Sequence, residues 1–250
     1  MQIRCSNILN ILSKEKRVTV AELSKALNVS EVTVRKDLLE LENKGLLRRG
    51  HGFATLVDSD DVSNRLSFNY ELKRRIAQKA LESISDGETI MIESGSCCAL
   101  LADEVVTNRK DVTIITNSVF IANFIRNKPN AHVILLGGEF QNESQVMVGP
   151  LIKICASNFH VDKFFMGTDG FNARGAMSGD LMRAEAVRDM AENASQNIIL
   201  TESKKFTQIG VVPLLSYDMI DAIYTDDQIG FNKMVAKDVK IITVTNGKDI

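Results

Sequence analysis

A chain of 250 residues with 44 % apolar and 25 % charged side chains has the make-up of an ordinary globular protein. It is long enough for one large domain or two smaller ones around a buried core. The overall net charge of −2 gives no hint of a polyanionic partner, no apolar run reaches the roughly 18 residues a membrane helix needs, and no signal-peptide pattern opens the chain, so a cytoplasmic location is expected.

The charge is unevenly spread. Residues 1–56 hold 10 Lys+Arg and 6 Asp+Glu, a net of +4, whereas residues 57–250 hold 20 and 26, a net of −6. A basic head on an acidic body suits a DNA-binding module joined to something else. A net of +4 is modest, so two heads acting together in a homo-oligomer are expected.

Ile8, Leu9 and Leu12 mark a first helix. Residues 20–38 then read as two short helices around a tight turn at Asn28-Val29-Ser30. Leu23 and Leu27 give the first of these an apolar stripe. Ser30 suits an N-cap, because its hydroxyl can accept an orphan backbone N–H of the next helix. In that helix Val34, Leu38 and Leu41 share one face, which leaves Thr33, Arg35 and Lys36 off it, near the N-terminal end. That end of a recognition helix enters the major groove, and its dipole favours phosphate. Asn43-Lys44-Gly45 closes the helix. Two short apolar runs around Gly50-His51-Gly52 follow, the signal of a hairpin. Three helices and such a hairpin make a winged helix-turn-helix, with Ser30, Thr33, Arg35, Lys36, Arg48, Arg49 and His51 as candidate DNA contacts. The alternative for the helix pair is an amphipathic pair with solvated charges, and for His51 a plain turn residue.

Residues 57–69, opening with Asp58-Ser59-Asp60-Asp61, read as a polar linker. From Tyr70 a helix buries Ile76, Ala77, Ala80, Leu81 and Ile84. Lys73-Arg74-Arg75 at its start read as a solvated face, with DNA contact as the alternative. Beyond Gly87, apolar runs at 89–92, 112–116, 133–136, 163–166, 198–201, 222–225 and 240–244 alternate with helix-like pieces at 99–106, 119–127 and 183–193. Apolar runs alternating with helices indicate a mostly parallel sheet covered on both faces. The expected organisation is therefore a head at 1–56, a linker at 57–69 and an α/β domain at 70–250.

Ligands of such sheets bind just past the C-terminal strand ends. The residues there are Ser94, Gly95, Ser96, Cys97 and Cys98; Thr116, Asn117 and Ser118; Gly137 and Gly138; Gly167 to Gly170 with Asp169; and Thr201 to Lys205. Small residues at 94–98 opening a helix make a natural phosphate cradle. The polar loops after five strands together point to a small-molecule site. Cys5, Cys97, Cys98 and Cys155 form no C-x-x-C pair and have no histidine cluster beside them. No metal or other cofactor is expected, and reduced thiols are.

V-S-E-V-T-V-R-K-D-L at 29–38, followed by L-L-R-R-G-H-G-F-A at 46–54, resembles the N-terminal signature of DeoR-type bacterial transcription regulators. Phe53 stands where the family's wing has a second glycine. E-S-G-S, T-N-S, L-L-G-G, V-G-P, G-T-D-G and S-K-K-F resemble, in order and spacing, that family's effector-sensing domain. The resemblance implies a domain similar to the ribose-5-phosphate isomerase fold that senses phosphorylated sugars or related metabolites. Carried over by motif, Ser94, Gly95, Ser96 and Cys97 would hold phosphate, while Thr116, Asn117, Ser118, Asp169 and Lys205 would line the remainder. Glu93, the Cys97-Cys98 pair and Glu202 depart from the family pattern.

The reading that follows is a ligand-responsive repressor of a duplex operator, with no enzymatic activity. The competing class is a sugar-phosphate isomerase with an appended head, for which Asp169, Glu185 and Lys205 are the candidate groups. A third is a head that has become an interaction module, which the intact Arg35, Lys36, Arg48 and Arg49 oppose. No Walker loop, dinucleotide fingerprint or nucleophile elbow is present.

Overall fold

A computed structural model describes residues 2–15, 17–43, 46–56, 62–228 and 239–245. The chain forms two compact units, 1–71 and 72–250.

In the first unit, α1 (Gln2–Glu15) leads into a short strand, β1 (Arg17–Thr19), and then α2 (Val20–Leu27) and α3 (Glu31–Asn43). β2 (Leu47–Gly50) and β3 (Phe53–Leu56) form the expected hairpin, and β1 joins it to give the sheet order β1-β3-β2. Ile8, Leu9, Leu12, Leu23, Val34, Leu38, Leu41, Leu46 and Leu47 are all buried, so the apolar stripes of the three helices close one small core. Burial of each large aliphatic side chain stabilises by about 1.5–3 kcal/mol. Thr19 caps α2 through a reciprocal box: Glu22 N–H donates to Thr19 Oγ1 at 3.2 Å, and Thr19 N–H donates to Glu22 Oε2 at 2.7 Å. The T-x-x-E spacing at 19–22 carries that signal in the sequence. Asn28 ends α2 in the left-handed region, at φ 51°.

In this unit the sequence reading missed a buried charge. Asp37 lies on the core side of α3 and is fully buried. Arg4 of α1 reaches it with two donors, Nε to Oδ2 and Nη2 to Oδ1, the latter at 2.9 Å. This pair fastens α1 to the recognition helix.

The linker expected at 57–69 is shorter than the pattern suggested. Residues 57–61 lie outside the described residues, but α4 (Val62–Ser67) is helical and buries Val62 and Leu66 completely. Two apolar residues four apart in a polar stretch are a helical contact that a composition-based reading takes for linker. α5 (Tyr70–Leu81) follows.

In the second unit the chain runs β4 (Thr89–Ile92), α6 (Ser96–Asn108), β5 (Thr113–Thr116), α7 (Val119–Ile125) and β6 (His132–Leu135). A small hairpin of β7 (Glu139–Gln141) and β8 (Val146–Val148) then precedes α8 (Pro150–Ala156) and β9 (Val161–Met166). β10 (Gly170–Asn172), β11 (Gly175–Ser178), α9 (Leu181–Ala191), β12 (Ala194–Leu200), β13 (Val212–Ser216), β14 (Ala222–Asp226) and β15 (Lys240–Val244) complete it. The main sheet has the order β15-β14-β12-β9-β4-β5-β6, and every pairing in it is parallel. Its strands coincide with the apolar runs read from the sequence, within a few residues. The hairpin and the antiparallel sheet β10-β11-β13 were not anticipated. No helix among the described residues is long and apolar enough to cross a membrane.

Replacing Arg4 with Met leaves the Asp37 carboxylate buried without its partner, which costs far more than losing a surface pair. Thermal unfolding followed by circular dichroism should show Arg4→Met lowering the melting temperature well below that of Glu31→Gln, which only breaks a surface pair. Equal melting temperatures would mean that the buried pair does not hold the head together.

Candidate DNA-binding and effector sites

α3 presents its N-terminal turn as expected. Ser30 Oγ accepts the Thr33 N–H at 3.3 Å and lies 2.9 Å from Thr33 Oγ1, so Ser30 is the N-cap. Arg35 is paired with Glu31 one turn back at 2.6 Å, with side chains 58 % and 46 % exposed. An exposed pair of this spacing contributes about 0.3–0.5 kcal/mol, so Arg35 can leave Glu31 for a stronger partner at little cost. Lys36 and His51 are exposed.

The two wing arginines differ. Arg49 is bound to α3: Glu42 accepts its backbone N–H at 2.9 Å and its Nε at 2.6 Å. These bonds hold the Glu42 carboxyl below its ordinary range. Arg48 is exposed. Phe53 explains itself structurally. Its ring lies over the Cα of Gly50, its register partner, where a Cβ would come within 2.1 Å of the ring. Arg17 covers the ring, 3.6 Å from its centroid. The wing therefore forms without the family's second glycine, and Gly52 (φ 81°) makes the turn.

In the larger unit the winding of the sheet reverses at β4, which has β5 on one side and β9 on the other. The loops leaving β4 and β9 meet at this switch point. A Cβ at Gly167 would lie 3.5 Å from the Ser94 carbonyl and 4.0 Å from the Cα of Gly95. Gly95 sits at φ 147°, ψ 153° as the N-cap of α6, and no side chain caps that helix. The first N–H groups of α6 are thus presented at the crevice, where an anion would complete them. Gly95 and Ser96 are half-buried.

The remaining expected residues divide into those that face the crevice and those already engaged. Cys97 and Cys98 are buried, and burial pushes the Cys97 thiol up to about 12 and Cys98 well above its usual value. Their side chains belong to the core, so this position can offer only backbone N–H groups. The Ser94 hydroxyl donates to Glu93 Oε1 at 2.5 Å. Thr116 Oγ1 accepts the Ser118 N–H at 3.0 Å, and Ser118 Oγ caps α7 by accepting the Ile121 N–H at 3.1 Å. Asn117 Nδ2 donates to the Met147 carbonyl at 3.0 Å, while its buried Oδ1 has no hydrogen-bond partner. Gly138 packs against the backbone of Val148, but the space over Gly137 is open. Asp169 accepts the Gly179 N–H at 2.8 Å and lies 3.4 Å from Arg183. Lys205 sits half-buried in a 3-10 turn, Ser203–Thr207, whose Ser203 is held by Asp226.

Three groups escaped the sequence reading. Glu93, noted there only as a departure, is buried at the switch point and joins the two loops by accepting from Ser94 Oγ and, at 3.3 Å, from the Gly167 N–H. Burial raises its carboxyl to about 7, against these hydrogen bonds and the nearby Arg183. Arg183 reaches Asp169 from the first turn of α9, a helix capped by Asp180. The third group is the basic trio of α5, which is not a solvated face. Lys73 is 2 % exposed and pairs with Glu202 at 3.5 Å. Arg74 bonds Glu104 of α6 at 2.7 Å, and Arg75 donates to the Thr245 carbonyl at 3.0 Å. Their partners lie 30 or more residues away, so no local pattern reveals them.

Residues 4–60 match the DeoR-like helix-turn-helix domain, and residues 68–227 match the DeoR C terminal sensor domain. The chain belongs to the DeoR family. This DeoR-family chain is a transcriptional regulator. It is 30 % identical to the HTH-type transcriptional regulator GolR of Listeria innocua, over 94 % of this chain and 93 % of that one. It is also 30 % identical to the glycerol-3-phosphate regulon repressor of Escherichia coli, over 89 % and 90 % of the two chains. With the lactose phosphotransferase system repressor of Staphylococcus aureus it shares 29 % identity over 89 % and 91 %. A ribose 5-phosphate isomerase from Plasmodium falciparum superposes with a TM-score of 0.42 at 18 % identity, over 56 % of this chain and 55 % of that one.

A carboxyl raised from 4.5 to about 7 in the folded protein carries its proton there but not in the unfolded chain. The contribution of Glu93 to stability is therefore full below pH 4.5, falls as the pH rises towards 7, and is flat above it, a loss on the order of 3 kcal/mol. Glu93→Gln should remove this decline. Melting temperatures of wild type and variant should converge near pH 5 and separate by pH 8, with the variant the more stable. The same gap at both pH values would show that Glu93 does not titrate in this range.

Proposed function

We propose that this regulator is a repressor whose grip on its operator is set by a phosphorylated sugar or related metabolite bound at the switch point. The observation that carries the reading is the uncapped start of α6 behind Gly95, in a chain that also carries a winged helix-turn-helix. Relatives named for glycerol-3-phosphate and for the lactose phosphotransferase system support a phosphorylated ligand. Ser96, Gly95 and the backbone of 97–98 would take the phosphate. Gly137, Asp169, Arg183 and Lys205 would meet the rest of the ligand, with Thr116, Asn117 and Ser118 shaping that side of the crevice. On the head, Thr33, Arg35 and Lys36 would read the major groove. The ligand would favour one of two pre-existing arrangements of the protein, DNA-competent or not. The protein would act as a homo-oligomer in the cytoplasm.

Enzymatic turnover forms no part of this proposal. An isomerase needs a carboxylate base poised over the substrate, but Glu185 is exposed on α9 and Asp169 is bound to Gly179 and near Arg183. A thermal-shift panel of sugar phosphates tests the ligand class, since a specific ligand stabilises the folded state by mass action.

At φ 147° Gly95 adopts a backbone conformation that L side chains rarely accept, and a β-branched side chain there would also obstruct the helix start. Gly95→Val should keep operator binding but lose release of the operator by the sugar phosphate found in that panel. Gel-shift titrations would measure both, with circular dichroism confirming the fold. A folded variant that responds as wild type does would move the phosphate site elsewhere.

If Arg35 makes a bidentate contact to a guanine, Arg35→Ala should cost about 1–3 kcal/mol and relax specificity at one base pair. Competition binding with single-base operator variants reads this directly. Undiminished discrimination at every position would remove Arg35 from base recognition.

A further inference from the structure

We infer that the outward face of the wing sheet, with Arg17 and Arg48 set on either side of Thr55, is a phosphate-gripping surface for duplex DNA, and that Phe53 presents Arg17 to it. This rests on the DNA-binding reading above and extends it to a strand outside the helix-turn-helix.

The sheet register supplies the argument. Residues directly opposite one another in an antiparallel sheet project to the same face. Thr55 pairs with Arg17 on one side and with Arg48 on the other, so all three side chains share a face. Phe53 pairs with Thr19 and Gly50 and lies on that face too. The opposite face carries Val18, Ala54 and Leu47, all buried. Arg49 projects to that side as well, but remains exposed at its margin, where Glu42 takes both its backbone N–H and its Nε. Of the two adjacent arginines in the hairpin, only Arg48 faces outward, and the second outward arginine comes from β1, 31 residues earlier in the chain.

Arg17 and Arg48 stand two strand spacings apart, about 10 Å. The minor groove is about 6 Å wide, so two guanidinium groups at this spacing can each meet one of the phosphate rows that border it. Arg17 is exposed yet held: its guanidinium lies 3.6 Å from the centre of the Phe53 ring. Stacking on an aromatic face leaves the edge N–H donors free while restricting the side chain. The ring in turn rests on Gly50, where no Cβ intervenes. The tip of the hairpin is fixed as well, because the Val20 N–H donates to the Gly52 carbonyl at 2.9 Å. The surface is thus preformed rather than assembled on contact.

Phosphate contacts are independent of sequence, so the test needs no operator. Binding of the full-length protein to a random 30-base-pair duplex is measured by fluorescence anisotropy across a salt series. Each phosphate contact contributes about 0.9 to the slope of log K against log salt. Arg17→Gln and Arg48→Gln should each lower the slope by about 0.9 per DNA-bound head. Arg17→Lys should restore it, since a charge and not a shape is being measured. Lys110→Gln, which removes an exposed charge of the larger unit, should leave it as in wild type. Phe53→Leu should weaken binding about two- to fivefold, an effect absent in the Arg17→Gln background. Circular dichroism melts confirm that each variant is folded. An unchanged slope for Arg17→Gln or Arg48→Gln overturns the inference, as does an equal loss for Lys110→Gln. If the wild-type protein shows no salt-dependent binding at all, the DNA-binding reading itself fails.

Discussion

All seven strands of the main sheet run parallel, and the chain reverses its direction of winding across that sheet at one place, β4. Parallel strands deliver every C-terminal end to the same edge, and a reversal leaves the loops of two neighbouring strands free to diverge around a crevice. The start of α6, the Glu93 bridge and the loop carrying Asp169 all take their positions from that constraint. Glu93 then adds a local one. By accepting from the loop after β4 and from the loop after β9, its carboxyl ties the two loops together at the point where the strand order parts them.

The central strands were legible because they are buried on both faces and therefore read as continuous apolar runs, and the edge strands β6 and β15, though partly exposed, are apolar along their length too. β4 was anticipated to the residue, and its neighbours within a few. The short antiparallel pieces were not. β7, β8, β10, β11 and β13 are three to five residues each, and their pairing partners, not their composition, make them strands. α4 escaped for a related reason: its two buried residues, Val62 and Leu66, sit in a polar surrounding that resembles a linker.

Side-chain direction was harder to read than position. The site loops were found by where they fall after strands, which is a property of the backbone. Whether a residue in such a loop faces ligand or core depends on neighbours distant in the chain. Cys97 and Cys98 point into the core, and Ser94 points at Glu93. Lys73 and Arg74 look like surface charge in sequence, yet each meets an acid more than 29 residues away. The adjacent pair Arg48 and Arg49 looks equivalent in sequence, and the alternation of a strand sends the two to opposite faces.

The contact between Phe53 and Gly50 ties two positions into one mutational unit. While the ring occupies the space above residue 50, any side chain larger than hydrogen there would have to displace it. If position 53 reverts to glycine, that constraint is lifted, and residue 50 becomes free to vary. The order of substitutions is therefore not interchangeable. A lineage can lose the aromatic residue first and diversify position 50 afterwards, whereas the reverse order requires the ring to leave its seat and Arg17 to lose its platform. In a collection of such wings, a bulky residue at position 53 should be accompanied by glycine at position 50, while a glycine at 53 should not constrain it.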